Sequence, residues 1–434
     1  MSNRFAYVQA LVSMAALFCS IGPVHSQEPK EIKLPVAPKH LGERVRVTFK
    51  VEFAAATGGG TVNLHSMKEW DNPKSFWVIL SPAVLDAYQK AGIKDAVSHF
   101  SGKTIHVEGV IRASALVKND KNKLKPLMSI LVESPDQIQV GKSRWQSAAF
   151  DAWSRSVAAL PVGKQAEAVA KKLKELNPGF DGKIGLKDDE PATIVNQQVT
   201  EIQVFSNKIS DISPFRALGG LRKLVVANTG DDYNGELVDL SPLQGMRLTS
   251  LNIQGHRGLS DLSPLKGMPL TQLNIWLTKA SDLSPLQGMK LTELNLRSTS
   301  AVDLSPLRGM PLISLDCTQM AEVADLTPLQ GMKLKKLWIN DVKAADLKPL
   351  RGMPLEFLEA NRMPNVSDLS PLQGMPLLQL EIEGCPKIRD LSPLREIPLK
   401  ILRCDYRPQR DGRLLRSIRS LEQINGKPVA EVLK

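Results

Sequence analysis

A curved α/β solenoid of short parallel strands is the fold class this sequence predicts. Three observations predict it: a pentapeptide recurring at near-constant spacing, an apolar spacing inside each recurrence that fits a strand, and an aliphatic composition. The 434-residue chain is 42% hydrophobic but only 5% aromatic, a bias towards Leu, Ile, Val and Ala that suits interchangeable core layers. Asp-Leu-Ser-Pro-Leu or a close variant begins at Asp239, Asp261, Asp282, Asp303, Asp325, Asp346, Asp368 and Asp390, with a degenerate copy at Asp211. Successive steps from Asp239 are 22, 21, 21, 22, 21, 22 and 22 residues.

Each unit also carries Leu-x-x-Leu-x-(Leu/Ile), as in Leu248-Leu251-Ile253, Leu270-Leu273-Ile275, Leu291-Leu294-Leu296, Leu334-Leu337-Ile339 and Leu377-Leu380-Ile382. The last two apolar positions stand two apart, so they share one side of a pleat and point inward. Related stretches at Val199 to Val204 and Leu221 to Val226 extend the ladder to about ten parallel strands. In Ser284-Pro285-Leu286-Gln287-Gly288, Ser is expected to cap a helical turn, Pro to occupy its first position and Gly to end it in a left-handed conformation. The return is therefore a 3-10 or irregular turn on the convex side. A single coil cannot bury its own leucines, so neighbours must stack. The period lies in the leucine-rich-repeat range of about 20–29 residues, which makes the expected architecture an α/β leucine-rich-repeat solenoid.

The repeats resemble those of bacterial surface proteins such as internalins, which share short units with a strand and a tight convex return. They resemble still more the Asp-Leu-Ser-Pro-Leu-x-Gly-Met arrays of bacterial multidomain proteins, some fused to serine/threonine kinases. The resemblance covers roughly residues 199–434 and implies a recognition scaffold without naming a partner. A kinase is excluded, because the chain lacks a Gly-rich loop with a following Lys strand, His-Arg-Asp and Asp-Phe-Gly, the parts that hold nucleotide and metal.

Residues 27–142 follow another pattern. Arg44 to Phe53 alternates as a strand, Gly58-Gly59-Gly60 makes a permissive turn, and Thr61 to His65 and Phe76 to Leu80 continue as strands. Pro82 to His99 reads as helix, then Thr104 to Ile111 and Leu127 to Val132 as strands. Five strands with a helix between the third and fourth resemble an OB-fold barrel. OB-folds bind ligands across their second and third strands with the adjoining loops. Here Trp77 lies on the third strand, and the loop before the last strand carries Lys118, Lys121, Lys123 and Lys125. That loop has two readings, a solvated basic turn and a polyanion-binding site.

Open solenoid ends need polar caps. Trp145 to Leu176, stopped by Asn177-Pro178-Gly179, is the expected helical amino-terminal cap, and Gln409 to Ile418 a basic helix that closes the last coil. Within that helix and just after it, Arg413, Arg416 and Arg419 are spaced to share a solvated face. Arg4, the apolar stretch Ala10 to Ile21 and the small residues at Val24-His25-Ser26 read as an export signal cleaved after Ser26, the alternative being an uncleaved membrane anchor. The expected organisation is thus signal peptide 1–26, OB-like β-barrel 27–142, helical linker and cap 143–198, solenoid 199–405 and carboxy-terminal cap 406–434.

The search for chemistry is mostly negative. His40, His65, His99, His106 and His256 form no metal-ligand spacing, and Cys317, Cys385 and Cys404 read as small core residues. The serines before proline recur in many units, whereas a nucleophile needs one activated setting. An acidic insertion with Asp231, Asp232 and Glu236 lacks the spacing of an EF-hand loop. No cofactor or metal is expected and no enzyme activity is read. The formal net charge of +11 is concentrated locally: from Lys400 onward nine Lys or Arg face four Asp or Glu. Large residues at outward strand positions are the strongest lead, because aromatics outside a core are common interface anchors. These are Lys336 and Trp338 on one strand, Phe357 and Glu359 on the next, and Trp276 just past an earlier one. The expected function is a periplasmic or extracellular protein that binds another protein through the solenoid's concave face. The alternative is binding of acidic polysaccharide or extracellular nucleic acid through the Lys-rich loop and basic cap.

Overall fold

A computed structural model describes residues 30–32, 40–67, 75–91, 93, 95–118, 124–140, 145, 147–185, 192–228 and 233–434. The expected signal peptide lies outside them. The chain divides between Ser143 and Arg144 into two compact units.

The first unit contains strands β1 (Lys30–Ile32), β2 (Arg44–Lys50), β3 (Phe53–Ala56), β4 (Val62–His65) and β5 (Phe76–Leu80), then helices α1 (Pro82–Lys90) and α2 (Ala96–Phe100). Strands β6 (Thr104–Lys118), β7 (Leu124–Val132) and β8 (Ile138–Val140) complete it. The single helix expected over Pro82 to His99 is broken in two: Asp95 starts the second piece by accepting the Val97 amide at 2.9 Å. The strand expected to end at Ile111 runs on to Lys118, because β6 and β7 continue as a hairpin with Val117 opposite Lys125 and Lys118 opposite Leu124. Pairing runs β1-β2-β6-β7-β5-β4-β3 with β8 added on β6, antiparallel except between β1 and β2 and between β5 and β7. Alternation puts Val45, Val47, Leu64, Val78, Ile105, Val107 and Ile130 in a fully buried core.

In the second unit α3 (Ala148–Ala158) and α4 (Val162–Leu176) replace the one helix read from Trp145 to Leu176. Pro161 separates them at φ −50° and ψ 139°: proline has no N–H to continue a helix. Thereafter come β9 (Thr193–Val195), β10 (Gln198–Phe205), β11 (Lys223–Ala227), β12 (Ser250–Asn252), β13 (Gln272–Asn274), β14 (Glu293–Asn295) and β15 (Ser314–Asp316). The series continues with β16 (Lys336–Trp338), β17 (Phe357–Glu359), β18 (Gln379–Ile382), β19 (Ile401–Cys404), α5 (Pro408–Ser417), β20 (Gln423–Ile424), β21 (Lys427–Pro428) and α6 (Val429–Val432). Strands β9 to β21 form one 13-stranded sheet in sequence order. It is parallel from β10 to β20 and antiparallel only at its two ends. The unit is a leucine-rich-repeat solenoid.

Register is constant along the stack: Leu251, Leu273, Leu294, Leu315, Leu337, Leu358, Leu380 and Leu402 stand opposite one another. All are at most 3% exposed, so each layer completes the burial of the last. The returns correct one expectation. Each is a single 3-10 turn such as Ser284–Leu286 whose N-cap position is Leu283, so the serine does not cap it; the aspartate before that leucine takes the turn's first amide instead. Asp239, Asp261, Asp282, Asp303, Asp325, Asp346, Asp368 and Asp390 each accept the backbone amide two residues on at 2.8 Å. The serine or threonine hydroxyl instead donates back to the same carboxylate, as Ser284 does to Asp282 at 2.9 Å. The glycines after the turn hold φ between +72° and +78° from Gly245 to Gly374, the left-handed region open to a residue without Cβ.

Both ends are closed. Val157, Ala166, Val169 and Leu173 of α3 and α4 join the solenoid core. Fully buried Asn177 ties this cap to the first return, donating to Leu173 and Asp211 carbonyls and accepting the Ser210 and Asp211 amides. At the other end α5 buries Leu415. Of its expected arginine face, Arg416 binds the Leu433 carbonyl at 2.9 Å and Arg419 lies beyond the helix.

Candidate functional site on the strand face

Each of the three-residue strands β12 to β17 points one residue inward and two outward, so the sheet carries parallel columns of outward side chains. One column runs Ser250, Gln272, Glu293, Ser314, Lys336, Phe357 and Gln379; beside it runs Asn252, Asn274, Asn295, Asp316, Trp338, Glu359 and Glu381. The first half of the second column is tied to the backbone. Asn252, Asn274, Asn295 and Asp316 each accept the amide two residues on, at 2.8–3.1 Å. These columns floor a groove of about 680 Å³ whose lining includes Phe205, Gln272, Asn274, Asn295, Asp316 and Trp338.

Trp338 and Phe357 come together at the far end of the groove. Their rings lie 4.8 Å apart at 42°, and both residues are half-buried while Lys336 is exposed. Glu359 is held by two amides, Asn340 Nδ2 at 2.7 Å and Asn361 Nδ2 at 3.3 Å, both on its Oε1. Asn340 in turn accepts the Asn361 amide, and Asn361 that of Glu383. This chain of buried asparagines escaped the reading of the sequence. The recurrence of Asn two residues past the strand in consecutive units was the available signal.

Trp276 is placed differently from the other expected residues. It lies past β13 and packs within its own chain, with the Tyr233 ring at 5.4 Å and the Arg297 guanidinium over its face at 5.4 Å. Of the five expected residues only Trp338 lines the groove; Trp276, Lys336, Phe357 and Glu359 do not.

Among the basic candidates, Lys121 and Lys123 fall outside the described residues, as do Asp231 and Asp232; Lys118 is the last residue of β6 and Lys125 the second of β7, at the same end of the β6–β7 hairpin. Trp77 is half-buried and meets the His65 ring edge-on at 4.6 Å. Along the solenoid returns, cations face carboxylates. The Asp325 carboxyl is held below its usual range by its hydrogen bonds to Thr327 and by Arg308, and Asp368 by those to Ser370 and by Lys348 and Arg351.

Among the described residues no group of three or more His, Cys, Asp or Glu is arranged to hold a metal ion. Burial raises the thiols of Cys317, Cys385 and Cys404 above the ordinary value, Cys404 to about 12. Thiolate chemistry is thereby disfavoured at all three. No helix among the described residues is long and apolar enough to cross a membrane.

No protein-family model matches the chain. No curated protein matches it either. Among solved structures it is similar to an internalin (inlF) of Listeria monocytogenes, with 27% identity over 50% of this chain and 64% of that one, at a TM-score of 0.42. Internalin C2 of the same organism shares 27% identity over 41% of this chain and 76% of that one, at 0.36. The functional domain of its InlJ shares 23% over 52% and 54%, at 0.35. The chain thus spans less than two thirds of the first of these structures.

Proposed function

We propose that this protein is an exported, non-enzymatic recognition protein whose solenoid binds another protein through its strand face, at Lys336, Trp338, Phe357 and Glu359, with Trp276 at the margin. The observation that carries the reading is the Trp338–Phe357 pair, two large rings in contact on adjacent strands of an outward sheet face. Aromatic anchors of this kind dominate protein interfaces because they bury much apolar area at small entropic cost. The first unit is read as an OB-type barrel, on the support of a pairing path that runs from β2 through β6, β7 and β5 to β4 and β3 and joins β5 to β7 in parallel.

A second reading, binding of acidic polysaccharide or extracellular nucleic acid, rests on Lys118, Lys121, Lys123, Lys125 and the arginines near the carboxy terminus. One experiment separates the two. The mature chain and its W338A/F357A variant are used to capture partners from envelope and medium extracts at low and high salt. Capture lost in the variant at both salt concentrations supports the protein reading. Capture that survives the variant and vanishes in salt moves the assignment to a polyanion, whose binding depends on counterion release.

A further inference from the structure

We propose that the strand-face site reads a cationic side chain of its protein partner, a guanidinium or ammonium group laid on the Trp338 ring between Asp316 and Glu359. The inference rests on the protein-binding reading above and adds the chemistry of the group that is bound.

Register supplies the geometry. Asp316, Trp338 and Glu359 occupy consecutive places in one outward column, and adjacent strands stand about 4.8 Å apart. The tryptophan is thereby flanked by a carboxylate on each side, and the tilted Phe357 ring forms a second wall at 4.8 Å. Each carboxylate is fixed through one oxygen, with the other lacking a hydrogen-bond partner among the described residues. Asp316 uses Oδ1 for the Thr318 amide at 2.8 Å, and Glu359 uses Oε1 for both asparagine amides. An immobilised carboxylate with one spare oxygen is suited to take an N–H donor without reorganising.

The column on either side of Trp338 is acidic, while cations stand at its margin: Lys336 lies opposite Phe357 in the neighbouring column, and Arg362 interacts with Glu359. The next carboxylate in the column is Glu381, and Arg403 beyond it lies 3.7 Å from Glu381. Arg362 is bound by both oxygens of Asp341 at 2.7 Å. In a chain of net charge +11, this column is locally acidic. An anionic partner group meets repulsion here, whereas a cation meets the negative face of the indole and two carboxylates together.

The test uses the full chain labelled with 15N at its indoles and three small probes, N-acetyl-arginine amide, N-acetyl-lysine amide and the uncharged N-acetyl-norleucine amide. The Trp338 resonance, assigned with W338F, should move with the two cations and not with norleucine. D316N/E359Q retains the carbonyl oxygens that hold Thr318, Asn340 and Asn361, and should weaken the cationic probes about tenfold. Equal response to norleucine, unchanged affinity in D316N/E359Q, or no response to any probe overturns the proposal. With a captured partner, loss in W338A/F357A but not in D316N/E359Q removes this inference and leaves the protein-binding reading standing. Capture untouched by W338A/F357A removes that reading itself.

Discussion

His256 Nε2 lies 2.9 Å from the Val226 carbonyl oxygen, while its Nδ1 accepts the Leu237 amide at 3.3 Å. The ring is wholly buried and joins β11 to the chain that returns from the insertion before Leu237. Removing it in His256→Ala strands a donor and an acceptor and opens a cavity, at a cost of about 2–4 kcal/mol. Chemical denaturation of the wild type and variant measures this loss. Burial depresses the pKa despite hydrogen bonds to Val226 and Gly235. The stability the neutral ring contributes is therefore present above pH 6.5 and declines as pH falls below it.

His65 gives the first unit its own acid sensitivity. Burial between Phe53 and Trp77, at 5.2 and 4.6 Å, lowers its pKa from 6.5 to about 4. The unfolded chain then binds more protons than the folded one between those values, so stability is lost as pH falls from 6.5 to about 4. The full loss is about 3 kcal/mol. His65→Phe should flatten that part of the stability profile, and an unchanged slope would contradict the assignment.

Asp325 caps its return by accepting both the Thr327 amide and hydroxyl at 2.8 Å. Asp325→Ala should lower stability, since it frees both the Thr327 amide and its hydroxyl. Thr327→Ala keeps the backbone bond and should cost about half as much or less. A larger loss in the threonine variant would return the capping role to the hydroxyl residue.

Cys317 is completely buried with a raised thiol pKa. A maleimide should label it only as fast as the solenoid opens, and labelling should accelerate with the denaturant-driven population of open chains. Rapid stoichiometric labelling of the native protein would show that this layer is not closed.

Much of the solenoid was legible because its information is local and repeated. The 21–22-residue spacing, the Leu-x-x-Leu-x-Leu pattern and the Ser-Pro-Leu turns all survive as strand, core and 3-10 return. The error at the cap arose from a choice between two adjacent polar residues. Asp282 and Ser284 both suit a turn, and only geometry shows that the carboxylate reaches the amide. Helix lengths were overread at Pro82 to His99 and at Trp145 to Leu176, where apolar spacing continues through a break in the backbone.

The sequence by itself determined the repeat, its register of buried leucines and the outward places of Trp338, Phe357 and Glu359, because strand periodicity alone fixes which residues share a face. Only the tertiary structure decided what those places become. Contacts between neighbouring repeats bring Trp338 onto Phe357 and anchor Glu359 on Asn340. Others turn Trp276 towards Tyr233 and Arg297. Rotamers and cross-strand partners depend on neighbours that a one-dimensional period does not name.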